Sequence, residues 1–410
     1  MKSLKIDFLS TVVLLGLPLI FSGCGSSENS QTEKTELADK TENSGETDQT
    51  DKAENQKEGE EPEEIDLGKE EPVDQFPFLL KPNPIDDFTW EVSGNLVTII
   101  KCKASGKVVL PKVIAGFPVG RIGSLVSDAN TLPRQFREGN AIPDGVTALV
   151  IPDSLKSIGD GAFYGCKSLT RLKIPDEVTS VGKYAFYGCE NLRNVTYGTK
   201  LTSIGDGAFY SCSRLTEPTL PDSLTSIGKK AFEHCSSFTG ITIPIAVNSI
   251  ANSAFNGCPR LASISVSEKN PTFSSEEGVL LNKAKQWVLR CPQGKDGAYE
   301  VPASVTHIRD AAFLGCGGLT SVTMPEGTIA IGNYAFRECS ALDTISIPQS
   351  VTTIGSFAFA SCSKLMTVRI PEGVPSIGSF VFHHCKSLNR VEIHDKVTSI
   401  GNGAFHGCAS

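Results

Sequence analysis

The amino-acid sequence predicts a mainly β repeat protein, a solenoid of parallel strands with short helical turns wound in 23-residue coils. Three observations predict it. Cys166, Cys189, Cys212, Cys235 and Cys258 stand 23 residues apart, and so do Cys316, Cys339, Cys362, Cys385 and Cys408. Three residues before each of these cysteines is a phenylalanine, from Phe163 to Phe405. Between successive cysteines runs a Leu-x-x-Leu-x-Ile pattern, as in Leu169-Thr-Arg-Leu172-Lys-Ile174, whose end alternates as a strand does. A fixed period of this length marks units that cannot bury their apolar positions alone and do so by stacking.

The chain opens with an export address. Lys2 and Lys5 precede a mainly apolar run from Phe8 to Phe21, and Ser22-Gly23-Cys24 follows. The run is shorter than the ~20 residues a spanning helix needs, and a charged start, a short apolar stretch and small residues mark a secretory signal. Phe21-Ser22-Gly23-Cys24, with Phe21 where leucine is usual, resembles the lipobox of bacterial lipoproteins. That resemblance implies residues 1–23 as a signal peptide, cleavage before Cys24, and lipidation of Cys24 as a membrane anchor.

Residues 24–75 are expected to form a disordered acidic tether. Residues 25–75 hold 18 acidic and five basic side chains, and from 25 to 64 the only branched aliphatic residue is Leu37. Such a segment buries too little apolar surface to offset its ordering entropy. The chain's net charge of −8 therefore belongs to the tether, because residues 76–410 carry 31 basic and 27 acidic residues. A nearly neutral folded part has no basic stripe for a phosphate backbone, which argues against nucleic acid as a partner.

Residues 76–145 read as an N-terminal cap and first irregular coil, with strand patterns at Phe88–Val92 and Val97–Ile100. The solenoid proper runs over 146–410. In each coil a proline such as Pro175 ends the strand, since it cannot donate to a ladder. Val178-x-x-Val181 supplies a second extended piece, and Ala-Phe-x-x-Cys suits a single helical turn. The phenylalanines should form a stacked spine. The strict period of the cysteines makes them small buried hydrophobes, reduced, and not metal ligands or catalytic thiols. A glycine column (Gly159, Gly182, Gly205, Gly228, Gly332, Gly355, Gly378, Gly401) is broken by Ala251 and Arg309, so it reflects close packing at a corner and not positive φ.

The repeat closely resembles the BspA-like, treponemal-type leucine-rich repeats of bacterial surface proteins, from about Val108 to Cys408. The resemblance implies a leucine-rich-repeat solenoid and a role in adhesion to host proteins or to other cells.

One insertion, at 267–301, interrupts the period. Val279-Leu280-Leu281-Asn282 and Trp287-Val288-Leu289-Arg290 read as two strands. They belong either to an irregular coil that continues the stack or to a projecting hairpin with Trp287 and Arg290 as contact residues.

No Walker loop, Gly-x-Ser-x-Gly elbow, His-Glu-x-x-His or Cys-x-x-Cys motif is present, so no catalytic residue and no cofactor is assigned. His383 and His406 share a column one coil apart, beside His384. At a coil spacing of ~5 Å the two rings could share Zn²⁺ or Ni²⁺. Chance placement of histidines on variable surface positions is the simpler account, and the sequence assigns no metal site.

The candidate binding surface is the outward side of the Leu-x-x-Leu-x-Ile strands: Arg171, Lys173, Asn194, Thr196, Glu217, Thr219, Thr344, Arg369, Arg390 and Glu392, together with Trp287 and Arg290. Its middle is small and hydroxylic and its ends are charged, which suits a protein or glycan ligand, a host extracellular protein included. The expected function is adhesion or protein–protein interaction by an exported, lipid-anchored cell-surface protein. The alternative is a structural coat protein without a specific ligand. The last coil offers Val397, Ile400, Ala404 and Phe405 with nothing stacked beyond, and the strand at 388–393 as an edge. Self-association or docking through this end is expected, or fraying if the gene product is truncated.

Overall fold

The structure, a computed structural model, describes residues 4–7, 81–123 and 141–408. Cys24 and the tether lie outside the described residues, as does all of the signal segment except Leu4–Asp7.

Each coil has three sides. The first is the Leu-x-x-Leu-x-Ile strand: Arg171–Lys173, Asn194–Thr196, Gly240–Ile243 and Ser263–Val266, then Asp296–Glu300, Gly318–Thr323, Thr344–Ser346, Thr367–Arg369 and Arg390–Ile393. Neighbours pair in parallel, Asn194 beside Arg171 and Thr367 beside Arg390. The middle residue of each strand points inward because side chains alternate along a strand. Leu172, Val195 and Val368 are accordingly buried.

The second side is a two-residue strand. Ser157–Ile158, Ser180–Val181, Ser203–Ile204, Ser226–Ile227 and Ser249–Ile250 form an unbroken parallel ladder. Its Ile and Val side chains enter the core as far as Ile227, and Ile250 is half-buried at its end. The hairpin Phe88–Ser93/Leu96–Cys102 joins this ladder through Phe117–Ile122 and supplies its first edge.

The third side is the segment read as a helical turn. It is a run of tight turns, and the one helix among the described residues is the 3₁₀ turn Ile85–Asp87. Donors alternate along it. Gly161, Phe163 and Gly165 N–H groups donate respectively to the Lys183, Ala185 and Tyr187 carbonyls of the next coil at 2.7–2.9 Å, while Tyr164 and Cys166 close turns on Gly161 and Phe163. This alternation places two columns at positive φ: Gly161, Tyr184, Gly207 and Lys230 in one, Gly165, Gly188, Ser211 and His234 in the other. The glycines of the column broken at Ala251 and Arg309 lie elsewhere. Gly182 has ordinary φ, but a Cβ there would meet Asp160 Oδ1 at 2.5 Å, so close packing is what excludes a side chain. The same Asp160 carboxylate accepts the Lys183 N–H at 2.7 Å.

Phenylalanine rings stack up the middle, with centroids 4.8 Å apart for Phe163 and Phe186 and 5.3 Å for Phe336 and Phe359. Nine of the ten phenylalanines are buried; Phe405, in the last coil, is only partly covered. The described cysteines are all free thiols. Eight of them do more than fill space, because the Sγ–H donates to the carbonyl of the phenylalanine one coil back, as in Cys189 to Phe163, Cys212 to Phe186 and Cys362 to Phe336 at 3.1–3.2 Å. A methyl of similar size would leave that acceptor without this partner.

The insertion is woven into the wall. Phe273–Glu276, Val279–Asn282 and Trp287–Arg290 form an antiparallel meander, and Trp287–Arg290 then pairs in parallel with His307–Ile308, so the second side resumes. The core divides here into two clusters of buried residues, one ending at Leu280 and one beginning at Val279. Cys291 stands where other coils carry phenylalanine, since its N–H donates to Ala312 as the Phe163 N–H does to Ala185. Arg290 stands in the preceding alanine position. A smaller residue at one site and a larger one at the other keep the local volume roughly constant. Cys102 likewise donates its N–H to Ala141, at a phenylalanine-like position near the cap.

At the far end, the strand expected to be a bare edge is paired. Leu4–Asp7 runs antiparallel along Arg390–Ile393, with Leu4 beside Ile393. Ile400 remains 51% exposed.

Candidate interaction surface

The first side of the coils carries the residues singled out from the sequence. Arg171, Lys173, Asn194, Thr196, Glu217, Thr219, Thr344 and Arg369 are exposed, while Arg390 and Glu392 are half-buried. Arg390 and Glu392 pair at 2.8 Å, and Arg369 approaches the same carboxylate at 4.0 Å. That end of the surface therefore presents paired charges and not an excess of one sign.

The structure adds a break in this surface that the sequence reading passed over. In register with Leu172 and Val195 the next coil places Pro218, between Glu217 and Thr219. Proline has no N–H to give to the ladder. Only a single bridge, Thr196 to Thr219, joins the coils there, and Arg171–Lys173 with Asn194–Thr196 form a sheet separate from Gly240–Ile243 with Ser263–Val266. A depression of about 630 Å³ opens at the break, lined by Asn194, Thr196, Thr199, Glu217, Thr219 and Asp222 among others. The signal was present, since Pro218 stands in a column that is otherwise aliphatic apart from Tyr299 in the insertion, but it was read as a strand position.

Groups at the rim are held in place by the adjoining coils. The Thr239 hydroxyl donates to Glu217 at 2.6 Å. The Thr199 N–H and hydroxyl both donate to Asp176, which holds that carboxyl below its ordinary range. Tyr197 forms the floor: its ring packs edge-on to Phe209, and burial pushes its phenol well above the usual value. The site therefore offers hydroxyl, amide and carboxylate groups above an aromatic floor. It is a surface for hydrogen bonding, and nucleophile and base are not brought together in it.

The two residues chosen from the insertion part company. Trp287 is 39% exposed, with the Arg309 guanidinium 5.0 Å from its ring centroid and His307 edge-on at 6.2 Å. Arg290 is not a contact residue, because it is only 3% exposed. Its guanidinium donates to the Ala311 carbonyl at 2.8 Å and the Leu314 carbonyl at 3.3 Å. Burial pulls its pKa below the ordinary arginine value. Alternation along the meander turns it inward beside Val288, which the hairpin reading did not anticipate.

His383, His384 and His406 come together: one ligand atom from each lies within 4.8 Å of the others. Desolvation first, then the neighbouring His384 and His406, holds the His383 pKa below its ordinary value.

Comparison with known proteins agrees with this architecture. The model of the BspA type leucine rich repeat region matches in six copies, over residues 144–276 and 297–410. A leucine rich cell surface protein from Faecalibacterium prausnitzii A2-165 is similar at 28% identity and a TM-score of 0.60, covering 80% of this chain and 93% of its own. A leucine-rich repeat protein from Eubacterium ventriosum is 23% identical with a TM-score of 0.56, over 77% and 91% of the two chains. The pneumococcal vaccine antigen PcpA is 19% identical with a TM-score of 0.51, over 79% and 84%. The last two show the shared fold. No curated protein matches the sequence.

Proposed function

The chain belongs to the BspA type leucine rich repeat family, and on that premise we propose that it is an exported surface protein whose first coil side recognises a protein or glycan. The observation that carries this reading is the depression at Pro218. The depression gives this side a concave, polar, pre-formed site of the kind a recognition surface uses. The surface location rests on the cell-surface description of the F. prausnitzii relative. No catalytic family is indicated by the match.

Anchoring is proposed through Cys24, by analogy of Phe21-Ser22-Gly23-Cys24 with the lipobox. Several acyl chains at ~0.8 kcal/mol per buried methylene hold a protein at a membrane where one does not. Removal of residues 1–23 would also strip Leu4–Asp7 from Arg390–Ile393 and free that edge for self-association.

The test is a screen of the purified full chain against immobilised extracellular proteins and glycan arrays. Saturable binding that Thr219→Arg abolishes is the expected result. Absence of any saturable ligand would favour a structural coat protein instead. Separately, Cys24→Ser should move the protein from the membrane fraction to the soluble fraction.

A further inference from the structure

We propose that His383, His384 and His406 form a surface site for a borderline divalent transition-metal ion, Zn²⁺, Ni²⁺ or Cu²⁺, with one coordination position left open. The coil period builds the site. His383 and His406 occupy the same position of successive coils, and their rings stack with centroids 5.2 Å apart. His384 follows His383, and its N–H donates to the His406 carbonyl at 2.8 Å, which ties the two coils at this point. Its ring lies 4.0 Å from that of His383 and 5.6 Å from that of His406. Gly407 makes room for it: a Cβ there would sit 2.2 Å from His384 Nδ1.

The donor set selects the ion. Three imidazoles without a carboxylate suit Zn²⁺, Ni²⁺ or Cu²⁺ and do not suit Ca²⁺ or Mg²⁺, which want oxygen. Zn–N bonds of ~2.0–2.1 Å place tetrahedral nitrogens roughly 3.4 Å apart. The present separation of up to 4.8 Å closes by side-chain rotation, since His384 and His406 are exposed. Phe357 and Phe380 pack edge-on to His383 and fix its ring at 6.5 and 5.5 Å. The nearby cation, Arg337, is paired with Glu338 at 3.0 Å. Three protein ligands leave a fourth position for water or for a donor from a partner.

The molecule contains its own control. His234 has the same position as His384 and lies over Gly257 as His384 lies over Gly407. Its neighbouring ring is Tyr210, at 5.2 Å, and its coil carries Glu233 and Asn256 where the later coils carry His383 and His406.

The test is calorimetric titration of the untagged full chain with Zn²⁺ or Ni²⁺ alone. One ion per chain with micromolar affinity is expected, and none with Ca²⁺. His406→Ala and His384→Gln should each weaken binding roughly tenfold or more while far-ultraviolet circular dichroism stays unchanged, and His234→Ala should leave it unaltered. The Co²⁺ form should lack thiolate charge-transfer absorption, which separates this site from the cysteines. No saturable binding up to ~100 μM ion, or binding indifferent to both histidine substitutions, would overturn the proposal.

Discussion

The first and second sides of the coils are built from the same 23-residue period and differ in how they use it. The second side repeats Ser-Ile or Ser-Val through five successive coils, and its ladder is unbroken. The first side changes its outward residues at every coil, from Arg171 and Lys173 to Asn194 and Thr196 to Glu217 and Thr219, and its ladder breaks at Pro218. Between residues 157 and 250 the monotonous side pairs continuously and the varied side does not; further along, the second side is itself interrupted between Thr353–Ile354 and Ser376–Ile377, where Pro375 takes the Thr202 position. Over residues 157–250 the second side keeps the coils paired, and under the proposed function the first side varies for recognition.

Both sides rest on the phenylalanine spine, so the largest effect should come from cutting it. Phe209→Ala, between Phe186 and Phe232, should destabilise the protein by about 3–5 kcal/mol in denaturant titration. It should weaken both sides together.

The thiols beneath the spine give a pH test of the same shared core. Burial pushes Cys258 and Cys385 up to about 12. An unfolded thiol titrates near 8.5. The folded state therefore holds protons that the unfolded state releases, and stability falls as pH rises from about 8.5 towards 12. The denaturation midpoint should be flat with respect to these thiols below pH 8 and decline above it. Cys258→Ala should make that decline shallower.

A proline placed in the continuous stretch of the second side copies the natural breaks at Pro218 and Pro375. Thr202 donates its N–H to the Thr179 carbonyl at 2.9 Å. Thr202→Pro should cost about 1–3 kcal/mol. The reverse change, Pro218→Val, restores a donor opposite Val195 and should stabilise by about 0.5–1.5 kcal/mol while closing the depression. Equal and small effects at the two positions would remove the distinction between the sides.

Much of the fold was legible because stacking forces a period on the residues that point inward. Phe186, Cys189, Leu192 and Val195 were placed inside from spacing alone, and they are buried. The close-packing reading of Gly182 was legible for a similar reason, through the substitutions its column tolerates. Hidden were the features that depend on backbone bonding. The positive-φ columns at Tyr184 and His234 mix glycine with bulky residues, so composition does not announce them. Arg290 looked like a surface residue by type, and only the exchange of size with Cys291 explains its burial. The outward positions followed from strand alternation, but the depression did not, because it lies where pairing between coils is reduced to a single bridge, which depends on backbone bonding.

The claim that recognition belongs to the first side is tested most directly by moving one bulky charge between sides. Thr196→Arg and Thr179→Arg both replace an exposed threonine, the first beside the depression and the second next to the continuous ladder. Each should change stability by less than about 0.5 kcal/mol. Binding of the full chain to a ligand found in the extracellular-protein and glycan screen should then be measured for both by surface plasmon resonance. The account predicts that Thr196→Arg abolishes binding and Thr179→Arg leaves it intact. Loss with Thr179→Arg and retention with Thr196→Arg would contradict it.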